Sequence, residues 1–234
     1  MLSCDSIQEC EISLMQNLDI SNEKLNLIKE EIKKNHYQLI DWDVESFFKK
    51  HEIVLRRCLS VCFFHFTKTL NSDLYSKGLL ILPNVVDDII DQISKLYGKH
   101  SKNEIIEIVQ SKISNASRMR LRRHDIGPYG YLIKEFGHIK DSGSWEYING
   151  GEFVTDLLEV LKYDDSLYHS RAKSIVVKFI VHDMEREAYL PNIKEALLYV
   201  SISDETTMQD FNSAHDNMGK EIQPSDIISI DRNP

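Results

Sequence analysis

Apolar residues recur at helical spacing across residues 44–70, and this pattern constrains the fold more than any other feature. Asp41 or Asp43 precedes the segment and suits an N-cap. Phe63 and Phe64 make its second half apolar nearly all round, as expected for a buried helix. We therefore predict a central helix whose main apolar face carries Val44, Phe47, Phe48, Val54, Leu55, Cys58, Cys62, Phe66 and Leu70.

Turn-forming residues are scarce, with nine glycines and five prolines in 234 residues. A sandwich or barrel with many tight turns needs more of both. No glycine-rich run of the kind that holds nucleotide phosphates occurs. Further helical stripes follow Ser21, Asn84, Ser101, Tyr131, Phe153 and Pro191. The predicted fold class is mainly α, an irregular multi-helix bundle with room for one or two short strands.

The segment 174–181 reads SIVVKFIV and is rich in β-branched residues, which favour a strand. Its flanks, SRAK and DMEREAYL, are strong helix formers. Because the flanks would continue it on both sides, we favour a single helix across residues 166–190 over a strand.

Composition shifts suggest three parts. Residues 1–20 form an N-terminal segment, and residues 21–203 form a single helical domain. The loop 141–151, DSGSWEYINGG, is a candidate internal boundary because it is rich in Ser and Gly. Residues 204–234 lose apolar periodicity and are expected to form a loosely ordered acidic tail.

Charge and cysteine usage limit the function. Lys and Arg number 28 against 37 Asp and Glu, a net charge of -9, so binding of duplex nucleic acid by the whole surface is disfavoured. No apolar run approaches the roughly 18–20 residues of a membrane span. The start, MLSCDSIQEC, carries acids where a secretory signal carries lysines, and no CxxC pair occurs. We expect a cytoplasmic protein with reduced thiols, without a membrane partner or a cofactor.

A basic cluster is the main functional lead. Four arginines fall within six residues in this acidic chain: Arg118, Arg120, Arg122 and Arg123. Guanidinium groups match phosphate and carboxylate oxygens, although basic residues at a helix end also complement its dipole. The aromatic residues Tyr129 and Trp145 lie in nearby loops and suit a recognition surface. The leading hypothesis is a regulatory or partner-binding protein that contacts an anionic ligand or acidic protein through these six residues.

Arg118 and His124 give a second hypothesis. Their spacing resembles the Arg-x4–6-His signature of HEPN-type ribonucleases, helical domains that act on RNA as dimers. The resemblance covers residues 118–124 and implies Arg118 as phosphate ligand and His124 as acid or base. It would make the chain a dimeric, RNA-directed endoribonuclease.

A helical metal-dependent enzyme is the third hypothesis. Asp87, Asp88 and Asp91 resemble the DDxxD motif of class I prenyl-transfer enzymes, which binds Mg²⁺, although acids in a first helical turn also stabilise the dipole. Glu135 and His138 have the Glu-x-x-His spacing of di-metal helical proteins. Other potential soft ligands follow the central stripe, where core packing is the favoured role: Cys58, Cys62 and His65.

Overall fold

The computed structural model describes residues 1–35, 42–113, 127–138, 151–202 and 214–232. Within these ranges the helices are α1 (Ile7–Leu18), α2 (Asn22–Asn35), α3 (Val44–Lys50), α4 (Leu82–Tyr97), α5 (Lys102–Ile113), α6 (Gly151–Leu161), α7 (Asp165–Arg171) and α8 (Arg186–Ser201). The strands are β1 (Cys58–Thr69), β2 (Tyr129–Tyr131), β3 (Lys173–Glu185), β4 (Ala214–Asp216) and β5 (Ile227–Asp231). Short 3₁₀ helices occupy Ser72–Lys77, Glu135–His138 and Pro224–Asp226.

The five strands form one antiparallel sheet in the order β4-β2-β1-β3-β5. Its register is fixed where Phe64 of β1 pairs with Tyr131 of β2. The protein therefore belongs to the α/β class. The prediction of a mainly α, irregular multi-helix bundle with one or two short strands, which amounts to an essentially all-alpha protein, was wrong.

The predicted central helix accounts for much of this error. Only α3 is helical, and its N-terminus is capped by Asp43, whose carboxylate accepts from the Ser46 backbone N–H. After a break the chain becomes β1, in which four consecutive residues from Val61 to Phe64 are buried. Such burial on both faces produces a continuous apolar run, which periodicity cannot distinguish from a buried helix. Phe66 and Cys62 are buried as predicted, whereas Leu55 is half-buried and Cys58 is exposed.

The second long strand was also predicted as a helix. Residues 173–185 form β3, and the chain is helical only before it, in α7, and after it, in α8. Ile175, Val176 and Val177 are all buried. Burial of β-branched side chains on both faces outweighed the helix propensity of the flanks.

Four smaller predictions concern single segments of the chain. The short helix predicted from Tyr131 begins instead as β2 and continues into a 3₁₀ helix. The stripe after Ser101 predicts a helix to about Arg122. Helix α5 is described to Ile113, so the remainder of that predicted helix lies outside the described residues. The described part of the predicted tail contributes β4 and β5. The boundary predicted at 141–151 stays a prediction because residues 141–150 are not described.

One compact unit comprises Met1–Phe64, Tyr131–Gly143 and Phe179–His215. Helix α8 packs against α1 and α2, and the stripe predicted on α2 is confirmed, since Leu25, Ile28 and Ile32 are buried. The first residues of the chain join the sheet through parallel bridges from Leu2 to Val61 and from Cys4 to Ile133.

A second compact unit comprises His65–Gly130, Ser144–Lys178 and Asp216–Pro234. Its helical core is built by α4, α5, α6 and α7, whose buried residues include Ile90, Ile93, Ile105, Val109, Leu157, Leu158 and Tyr168. The stripe predicted after Asn84 is confirmed as α4. The helix ends at Tyr97, and the next residue, Gly98, adopts the left-handed conformation.

Over the ranges given above, no helix combines the length and apolar character that a membrane crossing requires.

Candidate functional site

Most of the predicted arginine site lies outside the described residues: Arg118, Arg120, Arg122, Arg123, His124 and Trp145. Of the residues predicted there, the structure describes Tyr129, which is half-buried on β2. Its backbone carbonyl oxygen lies 2.8 Å from Nδ1 of His65 on β1. This contact is the starting point for a site in the second unit.

The contact fixes the tautomer of the His65 imidazole. A carbonyl oxygen can only accept a hydrogen bond, so Nδ1 carries the proton and the lone pair of the neutral ring lies on Nε2. Burial lowers the pKa of His65 below its ordinary value of 6.5, with the Tyr129 contact opposing the shift. The ring is therefore neutral at physiological pH. Nε2 makes no hydrogen bond to any residue of the described ranges.

Tyr75 places a phenol beside this imidazole. The two ring centroids are 6.5 Å apart and the planes are tilted by 58°. Burial raises the pKa of Tyr75 to about 12, although the neighbouring Thr67 side chain partly opposes this. Tyr75 therefore stays protonated at physiological pH. We call His65, Thr67, Tyr75 and the Tyr129 carbonyl the His65 cluster.

The buried phenol of Tyr168 forms a hydrogen bond with the same strand, β1. The Tyr168 hydroxyl donates to the backbone carbonyl of Lys68, which lies between Thr67 and Thr69 on β1, at 2.6 Å. Burial raises the pKa of Tyr168, and the neighbouring Tyr75 contributes to the rise. Helix α7 is thereby tied to the part of β1 that carries the His65 cluster.

The chain leaving Tyr75 is held by a tight backbone contact. Gly78 N–H donates to the Tyr75 carbonyl, and Leu79 then exchanges two backbone hydrogen bonds with Ile222, at 3.0 and 2.9 Å. Next to this bridge, the Asn84 side chain donates to the Glu221 carboxylate at 2.6 Å. These contacts fix the entry into α4 on one side of the 3₁₀ helix that carries Tyr75.

The aspartates predicted to bind metal lie on α4 and pair with lysines. Asp87 lies 3.0 Å from Nζ of Lys102, and Asp91 lies 2.5 Å from Nζ of Lys95. Asp88 is exposed. No group of three or more potential metal ligands occurs among the described residues. The arrangement matches ordinary surface ion pairs, each worth less than about 1 kcal/mol.

The Glu135 carboxylate, predicted as a ligand with His138, accepts a hydrogen bond from the Tyr199 hydroxyl at 2.6 Å. Burial raises the pKa of Tyr199, and the bond to Glu135 adds to the rise. The side chain of His138 lies outside the described set, so the structure does not test the pair.

Sequence reasoning missed Thr67 and Tyr75, and it considered His65 only as a possible metal ligand on a helix with Cys58 and Cys62. On a strand, residues two apart share a face, so His65 and Thr67 lie on one face and Cys62 on the other. The alternation of polar His65 and Thr67 with apolar Phe64 and Phe66 was the available signal.

No family model, curated protein or solved structure matches the chain in the comparisons with known proteins.

Proposed function

We propose that the chain is a binding protein for a polar, uncharged ligand and that the ligand occupies the His65 cluster. The observation that carries the proposal is the contact between His65 Nδ1 and the Tyr129 carbonyl. It orients the ring and leaves the Nε2 lone pair without a partner among the described residues. An oriented, half-buried acceptor is a typical element of a ligand site.

The chemistry of the cluster defines the ligand class. A neutral imidazole presents a lone pair at Nε2, which attracts a hydroxyl, amine or amide N–H and repels an anionic oxygen. Tyr75 stays neutral and offers a hydroxyl beside the Thr67 side chain. The ligand therefore donates a hydrogen bond to His65, and its affinity falls when the ring is protonated.

The first test is the tautomer itself. Nitrogen NMR of the histidine side chains should assign the Nδ1–H form to His65 and should find that form still neutral at pH 6.5, the ordinary pKa of the imidazole. Detection of the Nε2–H tautomer for His65 would refute the site.

The second test is binding. A thermal-shift panel of uncharged nucleosides, sugars and amides should yield a compound that stabilises the wild type. His65→Asn retains a donor for the Tyr129 carbonyl and removes the acceptor at Nε2, so it should abolish that shift. His182→Asn, at an exposed position on β3, is the control and should retain it. Equal shifts in all three proteins would contradict the proposal.

The arginine patch supports a second proposed function, contact with an anionic ligand or an acidic protein partner. The supporting observation is the density of Arg118, Arg120, Arg122 and Arg123 in a chain of net charge -9. Substitution of Arg118 and Arg122 by Ala should weaken partner capture and reduce its dependence on salt. An unchanged salt slope would argue against the patch.

A further inference from the structure

Two thiols meet inside the first compact unit. Cys4 Sγ and Cys10 Sγ lie 2.9 Å apart, and both residues have 0% of their surface exposed. This separation is less than 1 Å longer than the roughly 2.05 Å of a disulfide bond. A further contact links Cys10 Sγ to the Ala196 carbonyl at 3.8 Å.

The elements that carry the thiols are held in fixed places. Cys4 belongs to residues 1–5, which contribute parallel bridges to Val61 and Ile133. Cys10 lies in α1, whose start is capped by the Ser6 side chain. The Ser13 hydroxyl of α1 also donates to the Ser3 carbonyl at 3.1 Å. The backbone on both sides of the thiol pair is therefore already positioned.

We propose that Cys4 and Cys10 form a disulfide that links residues 1–5 to α1. The oxidant is a low-molecular-weight disulfide. One cysteine thiolate attacks it, forms a mixed disulfide and expels one thiolate. The other cysteine thiolate then attacks the protein sulfur of the mixed disulfide and expels the second. The two cysteines lose two protons and two electrons, and the oxidant becomes two thiols.

The surroundings predict when this reaction occurs. Burial raises the pKa of the Cys4 thiol, and the Cys10 sulfur and the carboxylates of Glu195 and Asp5 add to the rise. The folded protein therefore holds little thiolate at this site and admits no oxidant to it. The bond forms while residues 1–5 are detached from α1, during folding or local unfolding, and is buried once they pack against it.

Intact-mass and peptide analysis tests the proposal directly. The reduced, denatured full-length chain, as Cys58→Ser to remove the exposed thiol, is refolded in a mixture of reduced and oxidised glutathione. Both cysteines fall in one tryptic peptide, residues 1–24. That peptide should lack two hydrogens and resist alkylation until it is reduced. Full alkylation of this peptide in protein that has regained its native circular dichroism would overturn the proposal.

Stability provides a second readout. Oxidised protein should melt about 4–8 °C above reduced protein, since closing even a short loop restricts the unfolded chain. Cys10→Ala should lose this redox-dependent shift, whereas Cys58→Ser retains it. A shift that persists in Cys10→Ala, or a disulfide from Cys4 to Cys58 or Cys62, would contradict the pairing. If Cys10→Ala fails to fold, the peptide mass still decides.

Discussion

A Cβ atom at Gly78 would lie 2.1 Å from the backbone carbonyl oxygen of Ile222. Gly78 also adopts φ 94° and ψ -172°, a conformation essentially restricted to glycine. The close approach is what allows Leu79 to pair with Ile222 beside the 3₁₀ helix that carries Tyr75. The position of Tyr75 therefore depends on the absence of a side chain three residues later.

Gly78→Ala should destabilise the protein by about 3 kcal/mol, because it combines backbone strain with a clash against backbone. Gly98→Ala is the matched control. Gly98 also has a positive φ, 62°, but a Cβ there meets nothing within 4 Å, so its cost should be the left-handed strain alone, about 1–2 kcal/mol. Urea unfolding measures both. Equal losses would show that the Ile222 contact is unimportant.

The lowered pKa of His65 predicts a specific dependence of stability on pH. In the unfolded chain the His65 imidazole binds a proton with a pKa of about 6.5, whereas in the folded protein its pKa is lower. Wild-type stability should therefore fall as the pH drops below about 6.5 and level off once the folded ring is also protonated. His65→Asn lacks the imidazole that binds this proton. The difference in free energy of unfolding between the variant and the wild type should therefore shrink as the pH is lowered. A difference that is constant with pH would contradict the burial of a neutral ring.

The interaction between the Tyr75 and Thr67 side chains can be measured by a double-mutant cycle. Tyr75→Phe and Thr67→Val each remove one hydroxyl, and each should cost about 1 kcal/mol at neutral pH. The double variant should cost less than the sum, since the second change removes no further interaction. Strict additivity at neutral pH would show that the two hydroxyls do not interact.

The raised pKa of Tyr75 predicts a loss of stability in alkali. Wild-type stability should fall as the pH rises from about 10 towards 12, because Tyr75 ionises first in the unfolded chain. Tyr75→Phe should lack this part of the fall when both proteins are unfolded in urea across that pH range.

The core assignment of β1 is tested by truncating Phe66, which is 1% exposed. Phe66→Ala should cost about 3–5 kcal/mol through lost burial and a residual cavity. Val54→Ala, at a side chain 84% exposed, should change stability by less than about 0.5 kcal/mol. Chemical denaturation compares the two, and similar small effects would mean that this face of β1 is not packed.

The sequence predicted the type of an element, helix or strand, when one face of that element is exposed to solvent. Leu25, Ile28 and Ile32 alternate with charged residues on α2, so helical spacing is visible and the prediction was confirmed. In β1 and β3 both faces are buried, and the spacing that separates helix from strand is lost. Length did not help, because β1 and β3, at 12 and 13 residues, are as long as ordinary helices.

Recognising the His65 cluster in the sequence also requires that the strand β1 be distinguished from a helix. Once β1 is known to be a strand, His65 and Thr67 share a face, and their alternation with Phe64 and Phe66 becomes meaningful. The partners of His65 could not have been predicted, since Tyr129 follows it by 64 positions and the contact uses a backbone carbonyl. Local spacing carries no information about such a pairing.

RNA cleavage separates the binding hypothesis from the ribonuclease suggested by Arg118 and His124. A metal-independent ribonuclease of that kind needs its histidine to transfer protons, so the activity would disappear in His124→Ala. In a binding protein His124 transfers no proton. We expect the purified wild type to leave single-stranded RNA intact in the presence of a chelator, with His124→Ala prepared in parallel to control for contaminating nuclease. Cleavage by the wild type that is lost in a folded His124→Ala protein would establish the ribonuclease instead.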